Sequence, residues 1–116
     1  MLLAQLESFL EIARLGNMRR AANTLSISQP ALTARLQTLE EELTAPLFQR
    51  THTGMALTPA GRAFLPHAER AIEAVRSGAS LVRELEFGVI GELALALDEP
   101  ADRLLEQVRA RFTPNA

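Results

Sequence analysis

Ala21-Ala22-Asn23-Thr24-Leu25-Ser26-Ile27-Ser28-Gln29-Pro30-Ala31-Leu32-Thr33-Ala34-Arg35-Leu36 reads as two helices joined by a tight turn, the second with its polar face left free. Ser28 carries the hydroxyl of a helix N-cap. Gln29 and Pro30 fall in the first turn, where a missing amide proton is harmless, and Ile27 is placed to staple onto Leu32. A helix-turn-helix of this kind presents its second helix to the major groove of DNA. Within that helix Leu32, Leu36, Leu39 and Leu43 recur at spacings of 4, 3 and 4 and form one narrow apolar stripe. At about 100° per residue the opposite side carries Pro30, Thr33, Ala34, Gln37 and Thr38. Small groups and amides suit the readout of base edges, whereas a merely solvated face would be rich in Lys and Glu.

Upstream, Leu3, Leu6, Phe9, Leu10 and Ala13 repeat at helical spacing, with Gly16 as a stop. Asn17 can cap a helix from Met18 to Leu25 that turns Ala21, Ala22 and Leu25 inward and Arg19 and Arg20 outward. Downstream of Pro46, the strands Leu47 to Arg50 and Met55 to Leu57 bracket Thr51-His52-Thr53-Gly54 and predict a β-hairpin. A hairpin directly after the second helix is a wing, whose tip can reach phosphates or the minor groove. His52 at that tip reads first as a solvated loop histidine and second as a DNA contact.

Thr58 and Pro59 open a helix that the pattern carries to about Phe87. In it Leu65, Ala68, Ile72, Val75, Ala79 and Val82 alternate spacings of 3 and 4, flanked by Arg62, Glu69, Arg70, Glu73, Arg76 and Arg83. That seam predicts a two-chain coiled coil, the alternative being a helix folded back on its own domain. From Gly88 the period changes: Glu92 to Leu97 reads as a strand, Asp98-Glu99-Pro100 as a loop, and Leu104, Leu105, Val108 and Phe112 as the inner face of a helix. One β-α unit cannot bury itself. The expected organisation is therefore a DNA-binding domain at 1–58, a linker helix at 59–87 and the incomplete start of a further domain at 88–116.

The 116 residues hold no cysteine and two histidines, so neither a disulfide framework nor a zinc site is expected. There is no nucleophile-base-acid constellation and no Gly-rich phosphate loop, and Glu40, Glu41 and Glu42 read as a solvated helix end. An enzyme is not expected, nor any cofactor or metal. No apolar run approaches the roughly 20 residues that span a bilayer, and the N-terminus lacks the marks of a signal peptide, so a cytoplasmic chain without membrane contact is expected. The formal net charge of −2 runs against the usual basic balance of a DNA-binding domain. Its distribution is more informative, because the acids cluster at the far end of the second helix and arginines flank its start. All twelve basic residues are arginine.

Arg20-Ala21-Ala22, the run Leu25 to Thr33, Leu39-Glu40-Glu41-Glu42-Leu43, Leu47-Phe48, Arg50 and Leu57-Thr58-Pro59-Ala60-Gly61 together resemble the LysR-type transcriptional regulators. Gly91-Glu92-Leu93 and Arg109 to Pro114 look like the opening strand and first helix of that family's effector-binding domain. The resemblance implies a bacterial winged helix-turn-helix dimer, joined through antiparallel linker helices, with its two reading helices in successive major grooves of a pseudo-palindrome. It also implies a small-molecule inducer, but only where a full effector domain exists. Carried over by position, Gln29, Pro30 and Thr33 match base-edge readers, while Ser28 and Arg50 match turn or backbone-contacting positions. Ala34 stands where the family often has arginine, Gly16-Asn17-Met18 where Gly-Ser-Phe is usual, and Thr44 where a helix-ending glycine is common. The wing tip lacks the arginine that many relatives carry.

The expected fold is mainly α: a winged helix-turn-helix, a long linker helix and a short β-α remnant. The expected DNA-binding residues are Arg19, Arg20, Ser28, Gln29, Pro30, Thr33, Arg35, Gln37, Arg50, Thr51, His52 and Thr53. The expected dimerisation residues are Leu65, Ala68, Ile72, Val75, Ala79 and Val82. Partners would be double-stranded DNA and a second copy of the chain, with a tetramer as the next assembly. Two alternatives stand beside this: a dimerisation or interaction module lacking its sensor, and a different winged-helix regulator such as a molybdate-responsive one.

Overall fold

The computed structural model describes residues 1–98 and 100–112. In chain order the elements are α1 (Leu3–Leu15), α2 (Met18–Thr24), α3 (Gln29–Leu43), β1 (Phe48–Thr51), β2 (Gly54–Leu57), α4 (Pro59–Leu97) and α5 (Ala101–Phe112). Met1–Ala74 make one compact unit and the residues from Val75 on a second.

Each boundary in the first unit has a local cause. Gly16 ends α1 in the left-handed region at φ 64°, and the Asn17 side chain then caps α2 by accepting from the Arg20 N–H at 2.9 Å. The turn into α3 passes through Ser26 at φ 57°, a conformation that costs an L-residue about 1–2 kcal/mol. The Ile27 N–H donating to the Ala22 carbonyl at 3.0 Å helps hold it. Ser28 caps α3 by accepting from the Ala31 N–H at 3.2 Å. At the other end Thr44 adopts φ 55°, so the left-handed cap forms even without glycine. Thr58 caps α4, accepting from the Gly61 N–H while donating to the Pro46 carbonyl.

Phe9, Ile12, Ala21, Leu32 and Leu39 are fully buried and form the centre of the core. The Phe9 ring lies 5.4 Å from that of Phe48 and 5.3 Å from that of Phe64, which joins α1 to the wing and to α4. Ala68 and Ile72 complete the cluster, with Leu65 packed against it. These three residues of the expected dimer seam are thus used within the chain, because their 3-and-4 spacing serves an intrachain core stripe as well as a coiled coil. The other three differ: Val75 is 51% exposed and Val82 59%, with Ala79 half-buried.

The second unit departs from expectation. Glu92 to Leu97 are helical, and α4 continues to Leu97 instead of ending near Phe87. Leu and Ala are the strongest helix formers, and a lone strand without a neighbour would leave its backbone groups unpaired. The β part of the expected β-α remnant is therefore corrected to helix, while the helix over Leu104 to Val108 is present as α5. Ile90 on α4 and Leu104 on α5 are buried, whereas Leu81, Leu85, Phe87 and Leu95 stay exposed. Glu99 of the expected loop, and Thr113 and Pro114 of the resemblance, lie outside the described residues.

A Cβ built on Gly61 would lie 2.1 Å from the Leu47 carbonyl oxygen, while one on Gly78 would meet nothing within 4 Å. Gly61→Ala should destabilise the chain by about 1–3 kcal/mol and Gly78→Ala should stabilise it by up to ~1 kcal/mol. Urea unfolding of both variants checks this, and shifts of the same sign would contradict it.

Candidate nucleic-acid interface

The α1–α2 junction and the wing are drawn together by backbone contact. The Met55 N–H donates to the Gly16 carbonyl at 3.0 Å, and Gly54, at φ 138°, leaves no room for a side chain, since a Cβ there would stand 2.2 Å from that same oxygen. β1 and β2 pair antiparallel with Thr51 opposite Gly54, so His52 and Thr53 form the tip. Each strand reaches one residue further toward the tip than the sequence pattern indicated. Thr51 Oγ1 donates to the Gly54 carbonyl at 3.0 Å and lies 3.2 Å from Thr53 Oγ1, so these hydroxyls shape the tip.

This placement creates a cleft of about 380 Å³ between the start of α2, the start of α3 and the wing. It gathers six of the twelve expected DNA-binding residues: Arg19, Gln29, Arg50, Thr51, His52 and Thr53. Beyond the cleft Arg20, Ser28, Pro30 and Gln37 are exposed, and Thr33 is half-buried on the same helix. Asn17 and Met55 also line the cleft and were not among the expected residues. The signal for Asn17 lay in its capping position, which fixes where α2 begins. No spacing rule foretells the approach of Met55 to Gly16.

Arg35 requires a correction. Its Nη1 donates to Ser8 Oγ at 3.5 Å, and Ser8 is fully buried on α1, so Arg35 is turned toward the α1–α3 contact and away from the reading face. On the wheel it sits about 140° from Pro30, close to the apolar stripe. Glu40 is likewise more than a solvated helix end, since it is half-buried and its carboxylate accepts from the Leu47 N–H, tying the end of α3 to the entry of the wing.

The charges are arranged along α3. Arg19 and Arg50 stand with Gln29 at its N-terminal end, where the positive end of the helix dipole adds to their potential. Glu40, Glu41 and Glu42 lie at the other end, ~20 Å away at 1.5 Å per residue. Among the described residues no group of His, Asp and Glu could hold a metal ion, and no helix is long and apolar enough to cross a membrane.

A capped second helix with a free polar face, flanked by a two-stranded hairpin, defines a winged helix-turn-helix protein. The family model described as bacterial regulatory helix-turn-helix protein, lysR family, matches residues 3–62, and the chain belongs to that family. The HTH-type transcriptional regulator TcbR of Pseudomonas sp. (strain P51) is 41% identical over 92 residues, covering 79% of this chain and 31% of TcbR. Among solved structures, the CbnR DNA-binding domain in complex with DNA matches at 40% identity and a TM-score of 0.69, covering 73% of this chain and 98% of that one. The BenM DNA-binding domain in complex with catB site 1 DNA matches at 30% identity and a TM-score of 0.70, covering 73% and 96%. The chain spans about a third of the length of curated relatives such as TcbR.

Gly54→Ala should part the wing from the α1–α2 junction. With ~1–3 kcal/mol of strain placed on that contact, the Met55 amide should exchange with solvent about tenfold faster or more. Unchanged Met55 protection in hydrogen-exchange NMR would show that the close approach does not hold the wing.

Proposed function

We propose that this chain is the DNA-reading part of a LysR-type transcriptional regulator, acting by binding and not by catalysis. Two copies place their α3 helices in successive major grooves of a pseudo-palindromic operator in the cytoplasm. The observation that carries this reading is the free polar N-terminal half of α3 set beside a cleft that holds Arg19, Gln29 and Arg50. Gln29, Pro30, Thr33 and Gln37 face base edges; Ser28, Arg19, Arg20, Arg50 and the wing tip Thr51-His52-Thr53 hold the backbone. That the CbnR and BenM domains were crystallised with DNA supports the same use of the shared fold.

Residues 1–58 form the reading domain in this account, and α4 from Pro59 supplies the dimer contact. The remainder of the seam, with Val75 and Val82 exposed and Ala79 half-buried, takes the partner's α4. Charge favours an antiparallel arrangement: residues 62–76 of α4 carry three arginines against two glutamates, and residues 83–92 one arginine against three glutamates. A small-molecule inducer enters only where a full effector domain follows.

Gln29→Ala should relax the preference at one base pair per half-site by about 1–3 kcal/mol, whereas Arg50→Ala should weaken binding to all sequences alike and flatten the salt dependence by about one unit of slope. Fluorescence anisotropy with selected and scrambled duplexes separates the two, and equal loss on both duplexes for Gln29→Ala would remove α3 from base readout. Val75→Asp should give monomers, because a buried unpaired carboxylate opposes association. Light scattering at micromolar concentration tests it, and an unchanged dimer mass would move the interface elsewhere.

A further inference from the structure

The reading face of α3 is unusual in what it lacks. Arg35 is the one cationic residue in the sequence from Gln29 to Leu43, and its guanidinium is turned to Ser8 of α1. Pro30 and Ala34 are exposed one helical turn apart, and Gln37 is exposed a turn further along the same side. The Thr38 hydroxyl donates to the Ala34 carbonyl at 3.0 Å, which occupies its proton. Toward the bases, then, this face offers an apolar patch made by Pro30 and Ala34, bordered by the amides of Gln29 and Gln37 and the half-buried hydroxyl of Thr33.

Guanine presents two acceptors, N7 and O6, to the major groove, and the side chains that match both are Arg and Lys. Adenine presents an acceptor beside a donor, which a glutamine amide pairs in a bidentate fashion, and thymine presents a C5-methyl that an apolar side chain covers. We propose, building on the DNA-reading role given above, that the Pro30–Ala34 patch of α3 reads A·T pairs and excludes guanine beneath it, with Ala34 and Pro30 packed on thymine methyls and Ala34 as the residue that sets this specificity. A guanine under the patch would leave its two acceptors facing carbon atoms, stripped of water and unpaired.

The full chain and the variants Ala34→Gly and Ala34→Arg are used to select duplexes from a random pool. Each thymine in the enriched half-site is then replaced singly by deoxyuridine, which removes only the methyl. The unmodified chain should enrich A·T pairs at the centre of each half-site and lose about fourfold in affinity at one or two thymines on methyl removal. Ala34→Gly should abolish that loss at one of them, and Ala34→Arg should acquire a preference for guanine of about 5- to 150-fold at the corresponding pair. Indifference of the unmodified chain to every deoxyuridine, or an invariant guanine at the half-site centre, would overturn the proposal while leaving DNA binding intact. A pool from which no duplex is enriched would overturn the DNA-reading role itself, and this inference with it.

Discussion

The packing of Phe9 is the interaction on which the first unit depends. Its ring has no exposed surface and meets the rings of Phe48 and Phe64, so one side chain of α1 fixes both the entry of the wing and the first turns of α4. Truncation of such a ring costs about 3–5 kcal/mol, a large fraction of the ~5–15 kcal/mol that keeps a typical domain folded. The wing has two short strands and could not stand alone in water. It persists because Phe48 is anchored below, while Gly16, Gly54 and Met55 close it against the helix-turn-helix from the side.

That closure explains why a chain with a negative formal charge can present a face suited to nucleic acid. The first 60 residues carry five arginines and five glutamates, which cancel in sum. In space they do not cancel, because Arg19 and Arg50 border the cleft at the start of α3 and Glu40, Glu41 and Glu42 occupy its end. Association with a polyanion depends on the local field more than on the total, since screening limits each charge to a range of about 10 Å. Glu40 also has a structural use at the base of the wing, which accounts for one acidic residue on α3.

Most of the first unit was legible because its boundaries are set by local chemistry. Gly16, Asn17, Ser28 and Thr58 each end or begin a helix through one side chain or one backbone angle, and those effects are written in adjacent residues. What was not legible involved choices between equal patterns. A 3-and-4 spacing describes Leu65, Ala68 and Ile72 whether they meet their own core or another chain, and only the packing on Phe9's cluster decides. Leu93, Leu95 and Leu97 alternate like a strand, but the alanines between them have no β preference and helix propensity prevails. Arg35 sits at the border of two faces on the wheel, where a long side chain can turn either way, and Ser8 captures it. The contact between Gly54 and Gly16 spans 38 residues and leaves no local trace beyond the presence of two glycines.

Whether the start of α3 and the adjoining cleft form the DNA-binding face is decided by titrating a selected pseudo-palindromic duplex into ¹⁵N-labelled chain and mapping the amide shifts. Large shifts are expected for Asn17 to Arg20, Ser28 to Thr38 and Arg50 to Met55, with little change from Glu41 to Ala45 at the acidic end of α3. Shifts concentrated at that acidic end, with the amides around Gln29 and Arg50 unmoved, would contradict it.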